Sequence, residues 1–181
     1  DDHKVAVIGL QGLTVPMDDM PASNLVFLLD VSGSMDAPDK LPLLQTAFGM
    51  LADNLRPQDR VSIVVYAGAA GVVLPPTAGE DKDEILTAID RLYAGGSTAG
   101  GGGIELAYRL AEDYFIRGGN NRVILATDGD FNVGVSSEEG LTRLIEEKRE
   151  TGIFLSVLGF GTGNIKDNKM EALADTGNGN Y

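Results

Sequence analysis

Four short aliphatic runs constrain this chain more than any other feature: Leu25–Leu29 (LVFLL), Val61–Tyr66 (VSIVVY), Val123–Ala126 (VILA) and Phe154–Leu158 (FLSVL). They are close to continuously apolar rather than alternating. That pattern suits strands buried on both faces, as in a mainly parallel sheet covered by helices. Helical spacing fills the intervals between them. Leu44, Phe48, Leu51 and Leu55 recur at three and four residues within Leu41–Leu55, as do Ile85, Ile89 and Leu92 within Asp83–Leu92. Leu106, Leu110 and Tyr114 do the same within Ile104–Phe115. Ser136, Ser137, Glu138 and Glu139 open a fourth helix with capping chemistry, and Leu141, Leu144, Ile145 and Lys148 continue it to Gly152. Met170–Ala174 predicts a short fifth helix. Val72–Leu74, halted by Pro75 and Pro76, reads as a short edge strand. Strands alternating with helices predict an α/β fold: a doubly wound, mainly parallel open sheet with helices on both faces and one short antiparallel edge strand.

A chain of 181 residues suits one such domain. Residues 1–22, with a possible strand at Lys4–Leu10, are expected to form an N-terminal arm or the remnant of an upstream segment, and 23–181 the domain proper. Gly177–Tyr181 (GNGNY) stands where a further strand would begin. The expectation is therefore a domain whose last strand and helix are cut off. The chain starts at Asp1 with no leader-like segment, as an excised piece would.

Composition narrows the function. Apolar residues make up 43% and charged residues 23%, the balance of a globular protein. No apolar stretch approaches the length that spans a bilayer, so membrane insertion by this stretch is not expected. Asp and Glu outnumber Lys and Arg by 27 to 14, a formal charge of −13 that repels nucleic acid and anionic lipid and eases cation binding. With no cysteine and a single histidine, His3, near the start of the chain, structural zinc sites, cysteine nucleophiles and Ser-His-Asp triads lack their parts.

Ligands of a doubly wound sheet sit beyond the carboxyl ends of its strands, where the strand order reverses. Asp30 ends the first core strand and Asp128 follows the strand VILA, so two carboxylates distant in sequence should meet there. The loop Asp30–Met35 (DVSGSM) adds the hydroxyls of Ser32 and Ser34, with Gly33 easing the turn. Thr98, at the end of Gly95-Gly96-Ser97-Thr98, adds another. This oxygen-only set of two carboxylates and three hydroxyls suits a hard divalent cation such as Mg2+, which tolerates water among its ligands; Mn2+ or Ca2+ are alternatives.

The pattern Asp-x-Ser-x-Ser, a Gly-Gly-x-Thr turn and a later Thr-Asp-Gly resembles the von Willebrand factor type A domain and its metal-ion-dependent adhesion site. Strand and helix order match from about Asn24 onward. The resemblance implies a Rossmann-like fold with Asp30, Ser32, Ser34, Thr98 and Asp128 around the metal. It also implies a protein partner whose Asp or Glu completes the coordination. Thr98 is chosen over Ser97 because Ile104 then falls at the family's apolar helix position; Ser97 stays open. The wording LVFLLDVSGSM, RPQDRVSIVVYAG, LATDGDFNVGV and LGFGTGN resembles a bacterial subgroup found in secreted or lipid-anchored proteins, which implies an extracytoplasmic location.

Other readings are weaker. Asp128, Asp130, Asn132 and Glu139 fall at calcium positions of an EF-hand loop, but Val133 replaces its required glycine and a strand precedes it. Gly159–Gly163 (GFGTG) lacks the last glycine of a dinucleotide loop, and Gly100–Gly103 lacks the Lys-Ser/Thr of a phosphate loop. A magnesium-dependent phosphohydrolase could use Asp30 as nucleophile, but its general acid two residues on would be Ser32. A structural domain with a vestigial metal site is the remaining alternative. Met35 and Asp36 are rim or packing positions, and the tyrosines are expected mostly to face the core.

Overall fold

The computed structural model describes residues 9, 16–95, 102–129, 138–162 and 167–181. Five strands form one sheet: β1 (Ser23–Asp30), β2 (Arg60–Ala67), β3 (Ala69–Ala78), β4 (Asn120–Thr127) and β5 (Ile153–Gly159), in spatial order β3-β2-β1-β4-β5. The four aliphatic runs are β1, β2, β4 and β5. They pair in parallel, with Leu25 opposite Val61, Leu29 opposite Ala126 and Val123 opposite Leu155. β3 pairs antiparallel with β2 at one edge. It runs through Pro75 and Pro76 and is ten residues long, well beyond Val72–Leu74. Proline is tolerated there because an edge strand can turn its missing N–H away from its neighbour.

The helices are α1 (Leu41–Asn54), α2 (Lys82–Asp90), α3 (Gly103–Asp113), α4 (Glu138–Glu150) and α5 (Asp167–Thr176). Alternation along β1 sends Phe27 and Leu29 to one face and Val26 and Leu28 to the other. The first pair packs with Ile63 against Leu44 and Phe48 of α1 and Ile85 and Ile89 of α2. The second packs with Val64, Val123 and Leu155 against Ile104 and Tyr108 of α3, Ile145 of α4 and Met170 of α5. Helices therefore cover both faces, which is why the central strands contain so few exposed positions. α5 is twice the length expected from Met170–Ala174. Ser136 and Ser137, the expected cap of α4, lie outside the described residues, as does the possible strand Lys4–Leu10 except Gly9.

Past α5, the carbonyls of Gly177 and Asn180 accept hydrogen bonds from the amides of Leu155 and Val157 at 3.0 and 2.9 Å. This segment lies along the outer edge of β5 without forming a regular sixth strand. The approach is close enough that a Cβ on Gly179 would sit 1.8 Å from the Leu155 carbonyl oxygen.

At the amino ends of the strands Arg56 and Asp59, from the run RPQDR, tie the entry to β1. The Arg56 guanidinium donates to the carbonyls of Met17, Met20 and Pro21 at 2.6, 2.7 and 2.7 Å and pairs with Asp59 at 2.8 Å. Asp59 in turn accepts the Ser23 amide at 2.9 Å.

Two of the five tyrosines, Tyr66 and Tyr108, are core residues; Tyr93, Tyr114 and Tyr181 are exposed, against the expectation. Tyr93 lies beyond the last turn of α2, and Tyr114 closes α3 with its ring under the Arg60 guanidinium, 5.3 Å away. Tyr108 is fully buried, its hydroxyl has no partner among the described residues, and burial pushes its pKa up. An unsatisfied buried hydroxyl costs about 1–3 kcal/mol. Tyr108→Phe is therefore expected to leave stability unchanged or raise it by about 1 kcal/mol, read from urea unfolding at constant m-value.

Candidate metal centre

β1 and β4 are neighbours, and the sheet's order reverses between them: β2 and β3 lie on one side, β5 on the other. Asp30 is the last residue of β1 and Asp128 the first after β4, with Leu29 paired to Ala126. Both carboxylates therefore emerge at one crevice, as their positions in sequence imply. They are buried, at 0% and 8% exposure, and among the described residues the other buried carboxylate is Asp59. Ser32 begins a single 3-10 turn, Gly33–Asp36, that folds the loop back toward α1. This brings the Ser32 and Ser34 hydroxyls within 3.0 Å of each other. That spacing is the one between adjacent corners of an octahedron with metal–oxygen bonds of roughly 2.1 Å.

Thr98 and Ser97 lie outside the described residues. Described residues on either side of them, Gly95 and Gly103, lie against β1, its following loop and β2. The Gly95 amide donates to the Val31 carbonyl at 2.8 Å, and a Cβ on Gly103, the first residue of α3, would sit 3.2 Å from both Leu28 and Tyr66. Met35 is packed in the apolar cluster below the loop, and Asp36 is exposed.

Three polar neighbours escape sequence reasoning. The Tyr66 hydroxyl donates to Asp30 Oδ2 at 3.2 Å, and so does the Thr127 hydroxyl, also at 3.2 Å. Tyr66 is the register partner of Asp30, and Thr127 precedes Asp128, so strand pairing could have flagged both. Lys40, just before α1, carries no such signal. Its ammonium donates to Asp128 Oδ2 at 2.8 Å and to the Ser34 carbonyl at 3.0 Å.

Electrostatics follow from burial. Loss of water raises the Asp30 pKa most; the Ser32 hydroxyl and amide, the latter 2.9 Å from Oδ1, oppose this, and the nearby Asp128 charge adds to it. The net effect lies above the ordinary carboxylate value. Burial, then the Asp30 charge, push the Tyr66 hydroxyl well above the usual phenol range, so it acts as a neutral donor. Two close carboxylates in low dielectric are costly unless a cation neutralises them. The donor set fits a hard divalent ion because it is all oxygen.

The competing motifs fare differently. Asp130 and Asn132 lie outside the described residues, Glu139 is an exposed residue of α4, and a strand precedes Asp128, as in no EF-hand. In GFGTG, the Phe160 amide donates to the Thr127 carbonyl at 3.0 Å and thereby ties the end of β5 to that of β4; Gly163 lies outside the described residues. Among the described residues no group of three or more His, Asp or Glu side chains forms a metal cluster. No described helix is long and apolar enough to cross a membrane.

A sequence model of the von Willebrand factor type A domain matches residues 24–181. The chain belongs to that family. It is 49% identical over 164 residues to YfbK, an uncharacterised protein of Escherichia coli, covering 91% of this chain but only 28% of YfbK. The fold is shared with a von Willebrand factor type A structure from Catenulispora acidiphila (TM-score 0.72, 24% identity, 88% of this chain and 38% of that one). It is shared also with an aerotolerance-related membrane protein of Bacteroides fragilis (TM-score 0.68, 22% identity, 88% of this chain and 90% of that one).

Proposed function

We propose that the chain is a divalent-cation-dependent protein-binding module whose metal is completed by a partner's acidic side chain. Asp30, Ser32, Ser34 and Thr98 hold the ion, Mg2+ or another hard divalent cation, directly or through water. Asp128 holds it directly or through one water. The ion supplies a localised positive charge with room for an outside carboxylate; the chain supplies oxygen donors on a rigid strand end. The supporting observation is the convergence of Asp30, Ser32, Ser34 and Asp128 at the point where the strand order reverses, with two hydroxyl oxygens 3.0 Å apart. Membership of a family that often mediates protein–protein contact supports the same reading.

The reading needs no general acid or base, and the position two residues after Asp30 holds a serine that faces Ser34. A binding module is therefore favoured over a phosphohydrolase. An extracytoplasmic setting is proposed with it. The description of one fold neighbour as a membrane protein is in keeping with that setting.

The test is cation-dependent capture from the native cell envelope, run in Mg2+ and in chelator and repeated with Asp30→Ala. The expected result is a partner retained only by the wild-type chain in Mg2+. Equal retention in chelator would point to a structural domain with a vestigial site. Phosphate-ester turnover that vanishes in the variant would point to an enzyme.

A further inference from the structure

Lys40 is built into the crevice rather than lying over it. Its ammonium bridges the Ser34 carbonyl at 3.0 Å and Asp128 Oδ2 at 2.8 Å, and its side chain is 21% exposed. Its stem runs against Gly161, whose backbone lies in the left-handed region with φ +96°. A Cβ there would come within 2.6 Å of Lys40 Cε. Two segments thus hold this ammonium, the loop after β1 and the residue after β4, and a third, the turn after β5, lies against its stem.

Resting on the metal reading above, we infer that Lys40 is a resident counter-cation that weakens divalent binding to the free domain and makes the loaded site demand an anionic ligand. Among the described residues, two carboxylates and one ammonium leave the metal-free site with one net negative charge. A divalent ion entering it meets a like charge a few ångströms away, which lowers its affinity. Once bound, it leaves the site with one net positive charge, whereas the same site without Lys40 would be neutral. An incoming Asp or Glu is therefore attracted to the loaded site by net charge as well as by the open coordination position. Lys40 trades affinity for the ion against affinity for the acid.

Mn2+ alone, titrated into the full chain and followed by the loss of the free-ion paramagnetic resonance signal, tests this, with and without acetate as the acid probe. Lys40→Met and Lys40→Gln are expected to bind Mn2+ about tenfold more tightly than wild type, the scale of one like charge close by in partly buried surroundings. In wild type acetate should tighten Mn2+ binding, and in both variants that enhancement should shrink. Misfolding cannot mimic a gain in affinity, and thermal melts in chelator identify folded variants. Unchanged or weaker Mn2+ binding by either folded variant would overturn the role of Lys40 and leave the metal reading standing. Failure of wild type to bind Mn2+ at all would overturn both.

Discussion

Asp30→Asn is expected to weaken Mg2+ or Mn2+ binding on the order of 100-fold or more, because it removes a buried full charge from the ion's neighbourhood. The same change should make the metal-free domain more stable. Asp30 is fully buried beside Asp128, and its pKa is raised chiefly by loss of water. The folded state therefore binds that proton more tightly than the unfolded chain does. Ionised Asp30 costs stability at neutral pH, and the cost disappears as pH falls through its raised folded value. Asparagine removes the charge and keeps the contacts: its oxygen can accept the Ser32 amide, and its amide can donate to the Tyr66 and Thr127 hydroxyls, which rotate to accept. A rise in Tm of about 2–4 °C in chelator, the effect of ~1 kcal/mol at this chain length, is expected alongside the lost cation affinity. Calorimetric melts with and without Mg2+ read both effects. A fall in Tm in chelator would show that Asp30 serves the fold rather than the ion.

The largest effect on stability alone is expected at Asp59. Its carboxylate is 5% exposed and accepts the amides of Ser23 and Arg56, each at 2.9 Å, as well as the Arg56 guanidinium. Burial pushes its pKa up, but the hydrogen bonds from the Arg56 side chain and amide and the Ser23 amide outweigh this and hold it below the ordinary value. Asp59→Ala removes the carboxylate that neutralises the guanidinium and accepts two amides, at a cost of about 3–5 kcal/mol. It also loosens the segment Met17–Pro21 that Arg56 holds to the start of β1. Because the folded pKa is depressed, this stabilisation is complete above the ordinary carboxylate range and is lost as pH falls through the folded value. Urea unfolding from neutral to acid pH should therefore show a shallower acid limb in the variant. Equal slopes would exclude Asp59 from that role. The site lies at the opposite end of the strands from the crevice, so cation affinity in the folded variant should not change.

Much of this was legible in one dimension. A strand buried on both faces must be apolar at nearly every residue, so the four runs stood out, and their alternation with helical spacing leaves few folds. Asp30, Ser32, Ser34 and Asp128 were legible because polar residues at the end of such a strand need a purpose. Local pattern fails where contacts are distant or the backbone departs from repetition. β3 continues through two prolines because it is an edge. α5 is long because Met170, Leu173 and Ala174 dock on the sheet, and the surrounding polar residues carry no periodic signal of their own.

Residue order alone determined the doubly wound class and the meeting of two remote carboxylates, because strand-end positions follow from apolar runs and the order of crossovers. Tertiary structure alone decided that Tyr66 and Thr127 share Asp30, that the guanidinium of Arg56 fastens the entry to the sheet, and that an ammonium from the start of α1 rests on Asp128. Those contacts depend on strand register and side-chain reach across neighbouring elements, and no local spacing along the chain encodes either.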